Sequence, residues 1–213
     1  EDKWISSIEP RPGNPAVVHH ILMFVIPPDG NASMGLGSGN DFLGAYAPGL
    51  RPEPLPTGLA RFVPAGSKLV FQMHYTPNGT PAKDRSFVGF KYAKPEEVKY
   101  VARSTSVGNT FFAIPPGAND YEASASGTFE NDVTLLNLTP HMHMRGKSFR
   151  YEVSYPDGTK EVLLDVPSYD FNWQTTYDLQ EPKRIPKGSK LLCTAHWDNS
   201  SDNLSNPDPT ITV

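Results

Sequence analysis

The sequence has a single cysteine, no excess of basic residues and no long apolar run. Because Cys193 is the only cysteine among the 213 residues, an intrachain disulfide, a cysteine zinc site and an iron–sulfur centre are all excluded. Lys and Arg number 19 against 23 Asp and Glu, and the net charge of −4 disfavours binding to nucleic acid or to an anionic membrane. No apolar stretch approaches the roughly 20 residues of a membrane-spanning helix, so no membrane span is expected.

Proline and glycine are abundant instead, with 22 and 17 residues, so long helices are not expected. Between the turn signals, the chain repeats short segments in which apolar and polar residues alternate, as they do in strands with one buried face. These segments predict an all-β fold. The candidate strands are residues 16–26, 68–75, 87–92, 98–105, 133–144, 149–155, 161–166 and 190–197.

Segment 114–120 contains two prolines and a glycine and divides the chain into two halves, each with enough candidate strands for a sandwich. We therefore expect an N-terminal β-sandwich at residues 1–112 and a C-terminal β-sandwich at residues 113–213. Segments 31–40 and 198–209 are rich in Gly, Ser and Asn and are expected to be loops.

The six histidines fall into two groups of three, one in each half. His141 and His143 would point to the same face of a strand, which suits a shared metal ion; two hydrogen-bonded surface histidines are the alternative. His19 and His20 would face opposite sides of a regular strand, so joint ligation of a metal requires a twist or a bulge there. His74 lies on a separate candidate strand and could complete that site.

Neutral imidazole is a ligand for copper, zinc, iron and nickel, and three histidines also fit a zinc site with an open position. His196 lies three residues after Cys193 on a candidate strand, so the two side chains should face opposite sides, which disfavours a Cys–His nucleophilic pair. The sequence contains no nucleophile-elbow, P-loop or dinucleotide-binding motif.

Five segments resemble, in the same order, motifs of the copper type II ascorbate-dependent monooxygenases, the family that includes dopamine β-monooxygenase and the peptidylglycine α-hydroxylating enzyme. The first two resemble the segments that hold the first copper, the third resembles the domain junction, the fourth resembles the H-x-H-x-x-G motif of the second copper, and the fifth resembles the strand that follows. These segments are 13–20 (GNPAVVHH), 71–75 (FQMHY), 112–116 (FAIPP), 141–147 (HMHMRGK) and 191–194 (LLCT).

The resemblance implies two jelly-roll-like β-sandwich domains that face each other across a cleft, with two copper ions per chain. It implies an electron-transfer copper on His19, His20 and His74, and an oxygen-activating copper on the catalytic residues His141 and His143. The implied reaction is hydroxylation of an aliphatic C–H bond of a small organic substrate with dioxygen and a small-molecule reductant such as ascorbate.

The sequence also departs from the family pattern. The family's methionine ligand to the second copper lies in a Glu-Met segment downstream of the Cys193 strand, and no methionine follows Cys193 here. Either the parent chain continues past Val213 and supplies it, or the second site is incomplete. His196 could take the place of the third ligand, with a hydrogen bond in the core as the alternative. Thr139 stands where the peptide-amidating branch carries an arginine, which disfavours peptide amidation.

The animal members of the family are rich in disulfides, so the single cysteine suggests a bacterial or otherwise distant member. The single cysteine does not fix the compartment, and the expected location is periplasmic or extracellular. A non-catalytic copper-binding or electron-transfer module, linked to other domains of a larger exported redox protein, is the main alternative to a monooxygenase. A zinc hydrolase is a third. The aromatic segment 169–174 (YDFNWQ) is expected to pack over the end of the sandwich, and the alternative is that it lines a substrate or partner surface.

Overall fold

The computed structural model describes residues 1–28, 30, 42–50 and 54–213. In these residues the chain divides into two compact units, Glu1–Ser106 and Val107–Val213. The boundary expected between residues 112 and 113 lies inside the second unit, because Val107 already packs against that unit's hydrophobic core. Segment 31–40, expected to be a loop, lies outside the described residues.

The first unit contains two sheets, with strand orders β6-β1-β4-β7 and β3-β2-β5. All neighbours in them are antiparallel except β4 and β7, which run parallel. The strands are β1 (Lys3–Arg11), β2 (Val18–Ile26), β3 (Phe42–Tyr46), β4 (Leu59–Val63), β5 (Lys68–Tyr75), β6 (Phe87–Tyr92) and β7 (Tyr100–Val101).

The core of the first unit lies between these two sheets. Ile5 of β1 and Val63 of β4 come from one sheet, while Ile21 and Met23 of β2 and Leu43 of β3 come from the other. All five side chains are at most 9% exposed. Burying apolar faces from two sheets against each other is what holds a β-sandwich together.

The second unit is built in the same way from a four-stranded sheet, β11-β10-β13-β8, and a two-stranded sheet, β12-β9. Its core joins Leu138 of β9 to Tyr151 of β10 and to Leu191 and Cys193 of β13. Its strands are β8 (Tyr121–Thr128), β9 (Val133–Leu138), β10 (Gly146–Ser154), β11 (Lys160–Val166), β12 (Tyr177–Ile185) and β13 (Lys190–Trp197).

The fold is thus all-β, as the alternating patterns predict. Among the described residues the one helical element is the short 3-10 helix Pro95–Glu97, and no helix is long and apolar enough to cross a membrane. Candidate strands 68–75, 87–92 and 190–197 are confirmed with their bounds. Residues 198–209 contain no strand, as expected for a loop. Candidate strand 98–105 is wrong over most of its length, since only Tyr100–Val101 pairs.

Candidate metal centres

The first histidine group lies where β2 pairs with β5. Val18 is opposite Tyr75 and His20 is opposite His74, so the register shifts by one residue and makes His19 the extra residue of a β-bulge. A bulge at this point is what joint ligation by adjacent histidines requires. The Nδ1 atoms of His19 and His20 are 2.9 Å apart as a result.

His74 faces this pair from the neighbouring strand. Its ring centroid lies 3.9 Å from that of His20, with an angle of 36° between the ring planes. His20 is only 9% exposed, whereas His74 is exposed and His19 is intermediate. The three imidazoles therefore extend from the sandwich interior to solvent, and His74 on β5 is the most exposed of them.

The distances test whether the histidines suit a metal ion. Nitrogen ligands that each lie about 2.0–2.1 Å from one ion are about 2.8–3.4 Å apart at bond angles from about 90° to 110°, and the His19–His20 separation falls in this range. Within the described part of the chain, no three His, Cys, Asp or Glu side chains could hold a metal as they stand. The donor set of three imidazoles fits copper, and the rings have to adjust for all three histidines to ligate one ion.

An open groove of about 620 Å³ lies at the end of β5 in the same unit. It is lined by Val17, Tyr75, residues 76–82 and Asp84. Tyr75 directly follows His74 in the chain, so a small molecule in the groove lies beside the end of β5 that carries this histidine. The Asp84 carboxylate accepts hydrogen bonds from the Tyr75 hydroxyl (3.1 Å) and from the Asn14 backbone N–H (2.8 Å).

The second histidine group lies in a loop rather than on a strand. β9 ends at Leu138 and β10 begins at Gly146, so the candidate strand 133–144 is wrong beyond residue 138. Pro140 explains the early end, because proline has no backbone N–H to donate to a neighbouring strand.

Exposed and buried side chains alternate in this loop, as expected for the H-x-H motif. His141 and His143 are exposed, while Met142 between them is 3% exposed. The two imidazole centroids are 5.2 Å apart with ring planes at 88°. Both candidate ligands therefore point away from the core, although no strand holds them there.

Two side chains from other parts of the second unit hold this loop. The Tyr169 hydroxyl accepts a hydrogen bond from the Met142 backbone N–H (3.0 Å) and donates one to the Met142 carbonyl oxygen (2.9 Å). Nε of Arg145 donates to Oδ1 of Asn199 (2.8 Å), and the Arg145 carbonyl accepts from the backbone N–H of Asp198 (2.8 Å). Side-chain hydrogen bonds thus replace the missing strand pairing.

Asn199 connects the histidine loop to the end of the second unit. It is fully buried, and its Nδ2 donates to the carbonyl oxygens of Pro115 and Ile211, both at 2.9 Å. Its Oδ1 accepts from Arg145 and also from Nδ2 of Asn206 (3.1 Å). All four hydrogen-bonding positions of the amide are therefore in use.

His196, a predicted third ligand of the second site, has acidic neighbours at both ring nitrogens. Its Nδ1 lies 3.2 Å from Oδ1 of Asp120, and its Nε2 lies 3.6 Å from Oε2 of Glu122. The side chain is 28% exposed, so this contact lies at the surface of the sheet and not in the core. Ligation by His196 stays a prediction, and these contacts favour the hydrogen-bonding alternative.

Cys193 and His196 occupy opposite faces of β13, as expected. Cys193 is 4% exposed and packs beside Leu191 in the core of the second unit. Burial raises the pKa of its thiol to about 11, so the thiol is neutral at physiological pH. A Cys–His nucleophilic pair is therefore excluded here.

The aromatic segment 169–174 contacts the histidine loop. Besides the Tyr169 hydrogen bonds, the Phe171 ring meets the His143 ring edge-on, with centroids 6.3 Å apart and planes at 86°. Trp173 is 69% exposed. The expectation that this segment merely packs over the sandwich end is thus incomplete, because Phe171 lies against His143 and Tyr169 contacts the backbone of Met142 between the two histidines.

Comparison with curated proteins finds two similar ones. The chain is 27% identical over 214 residues to the human protein named "Putative DBH-like monooxygenase protein 2", and the match covers 86% of this chain and 42% of that protein. It is 27% identical over 216 residues to the mouse "DBH-like monooxygenase protein 2", with 86% of this chain and 34% of that protein covered. No protein-family model matches the chain.

The chain is a distant relative of DBH-like monooxygenase proteins. It spans less than half the length of these curated relatives. The relationship agrees with a monooxygenase-like family, which the motifs of the sequence already indicate. Both relatives are mammalian, and the bacterial origin suggested by the single cysteine stays a prediction.

Tyr169 and Asn199 are the residues of this region that sequence reasoning missed. Tyr169 belongs to a segment whose aromatic content is visible in the sequence, but its partner lies 27 residues away at Met142. Asn199 lies in a loop rich in Asn, Asp and Ser, where composition does not separate one buried amide from its exposed neighbours. Only the folded chain identifies these two as supports of the histidine loop.

Proposed function

We propose that this chain is part of a copper-dependent monooxygenase that hydroxylates an aliphatic C–H bond of a small organic substrate. One oxygen atom of dioxygen enters the product and the other leaves as water, with two electrons from a reductant such as ascorbate. His19, His20 and His74 would hold one copper, and His141 and His143 would hold the other. Bound copper would supply one-electron redox chemistry at the first site and dioxygen activation at the second.

The bulge at His19 is the observation that carries this proposal. Without it, His19 and His20 would lie on opposite faces of β2, and only one of them could act together with His74. The exposed position of His74 supports a role in receiving electrons, because a dissolved reductant can approach that imidazole from solvent.

The surroundings of the second histidine pair support a role in binding an organic substrate. His141 and His143 are exposed, and Phe171 places an apolar ring beside His143. An aromatic ring next to a reactive centre offers an apolar surface that can orient a hydrocarbon group. An exported location, periplasmic or extracellular, also belongs to this proposal.

Copper stoichiometry tests the two sites. The copper-loaded chain should contain about two copper ions, with type II electron paramagnetic resonance signals because no cysteine lies beside either histidine group. His19→Ala and His141→Ala should each lose one ion. His196→Ala is the matched control and should keep both, since its ring contacts Asp120 and Glu122. Loss of no copper from His19→Ala would contradict the proposal.

Activity is tested with ascorbate and oxygen on a panel of phenethylamines and other small C–H substrates. The proposal expects oxygen uptake to be matched by hydroxylated product, and His141→Ala to abolish both. Oxygen uptake that yields peroxide and no hydroxylated product, in a chain that holds two copper ions, would overturn the monooxygenase assignment.

A copper-binding or electron-transfer module is the second candidate function. One observation favours it: the first histidine group lies on two paired strands, whereas His141 and His143 lie in a loop outside the ladders. This function expects a single stable copper at the first site, reversible one-electron reduction there, and no hydroxylated product.

A further inference from the structure

The loop that carries His141 and His143 needs support from outside the sheets. Residues 139–145 lie between β9 and β10 and take no part in either ladder. A metal ligand binds well only when its side chain is held in one direction, and neighbouring hydrogen bonds usually provide this. A residue outside this loop must therefore fix the direction of these two histidines.

Tyr169 makes hydrogen bonds to both polar backbone groups of Met142, the residue between the two histidines. Its hydroxyl accepts from the Met142 N–H at 3.0 Å and donates to the Met142 carbonyl at 2.9 Å. Because Met142 is 3% exposed, water does not readily replace these bonds. One phenol therefore fixes the peptide groups on both sides of Met142.

The backbone of Tyr169 is anchored as well. Its N–H donates to the carbonyl of Lys147 at the start of β10, at 2.9 Å. Its ring lies against Gly146, where an added Cβ would be 2.7 Å from the ring carbon Cδ1. The ring thus fills the space that glycine leaves, and it spans the loop from the first residues of β10 back to Met142.

We propose that Tyr169 is a positioning residue for the second candidate metal site. Since His141 and His143 flank Met142 in the chain, fixing the Met142 backbone sets the directions of both side chains. Phe171, two residues after Tyr169, meets the His143 ring edge-on, so the same segment also limits the rotation of one candidate ligand. The metal-binding part of this inference rests on the copper function proposed above.

Tyr169→Phe separates positioning from simple packing, because it keeps the ring against Gly146 and removes only the hydroxyl. Tyr155→Phe is the matched control, since the Tyr155 hydroxyl donates to Oε2 of Glu161 at 2.8 Å, elsewhere in the second unit. The first measurement uses metal-free protein. Amide hydrogen exchange at Met142 should be at least about tenfold faster in Tyr169→Phe and unchanged in Tyr155→Phe.

The second measurement is a copper titration followed by electron paramagnetic resonance, in a His19→Ala background that leaves only the second site. Tyr169→Phe should weaken copper binding about 10–100-fold and change the copper hyperfine splitting, while Tyr155→Phe should change neither. Unchanged affinity and hyperfine splitting in a well-folded Tyr169→Phe chain would overturn the inference.

Failure of the copper function is distinguishable from failure of the positioning role. If the His19→Ala chain binds no copper at His141 and His143, the proposed function fails for that site, and the Met142 exchange rate alone then decides whether Tyr169 holds the loop. Met142 exchange that does not respond to Tyr169→Phe would overturn the positioning role in either case.

Discussion

The Nδ1 atoms of His19 and His20 lie 2.9 Å apart although the two residues are neighbours on one strand. The bulge at His19 makes this possible, and it also changes which apolar residues face the core. Val18 and Ile21 are both almost completely buried, at 2% and 0% exposure, although they are three positions apart along the strand. In a regular strand they would lie on opposite faces. The same irregularity therefore serves the core and the histidine pair.

The copper losses caused by alanine variants at the histidines of the first site should not add up. If His19 and His74 serve one copper, each alanine variant loses one ion and the double variant also loses only one. His19→Ala combined with His141→Ala should lose both ions, since these residues lie in different units. The check is metal content per chain after copper loading and removal of excess. A second ion lost from the His19→Ala, His74→Ala double variant would refute a shared site.

Gly146→Ala should destabilise the second unit. An added Cβ would lie 2.7 Å from Cδ1 of Tyr169 and 2.8 Å from Cβ of Met142, so the ring or the loop must move. Overpacking of this kind costs about 1–3 kcal/mol of the free energy of unfolding. Gly108→Ala is the control, because a Cβ there meets no atom within 4 Å. Urea denaturation measures the free energy of unfolding of both variants. Equal free energies would show that the space beside Gly146 accommodates an added methyl group.

Asn199→Ala should be more damaging than its small change in volume suggests. It removes an amide with four hydrogen bonds and leaves the Arg145 guanidinium without one of its acceptors. Unpaired buried polar groups cost about 1–3 kcal/mol each, so we expect a loss of at least about 2 kcal/mol. Asn109→Ala, at an exposed asparagine, should lose less than about 1 kcal/mol. Thermal unfolding of the two variants in parallel measures both losses of stability. A larger loss in Asn109→Ala than in Asn199→Ala would contradict the prediction.

Cys193 should make stability depend on pH in the alkaline range. Burial raises its pKa from 9.0 to about 11, so between these pH values the unfolded chain releases the thiol proton while the folded chain keeps it. This contribution to stability is complete below pH 9 and decreases as the pH rises toward 11, by at most about 1.4 kcal/mol per pH unit.

The measurement compares wild type with Cys193→Ala by urea denaturation at several pH values. Other groups also titrate in this range, and the alanine variant keeps them all. The difference in unfolding free energy between the two chains should therefore become less favourable to wild type as the pH rises. A difference independent of pH would mean that the thiol is not shielded as its burial implies.

Local patterns in the sequence predicted much of the fold. Strands 68–75 and 190–197 show clear alternation between turns, and the structure gives them the predicted bounds. The alternating pattern does not predict β1, Lys3–Arg11, because two consecutive serines and a proline interrupt its alternation. Its stability comes from pairing with β4 and β6, which no local pattern records.

The candidate sites were predictable only in part. The residue types and their grouping are visible in the sequence, but the position of a bulge depends on which residues of β5 lie opposite β2. Register is a property of the paired strands and not of either one alone. The loop position of His141 has a local cause in Pro140, which ends the strand that the H-x-H spacing predicts.

The separation of the H-x-H loop from the ladders has a consequence for how this unit can vary over evolution. Because β9 ends at Leu138 and β10 begins at Gly146, the exposed loop residues His141, His143 and Met144 can be exchanged without breaking a strand pair. Inheritance of the sandwich therefore does not enforce inheritance of the ligands. Homologous chains can share these sheets and differ in reactivity, and a laboratory library confined to these exposed positions should yield many folded variants.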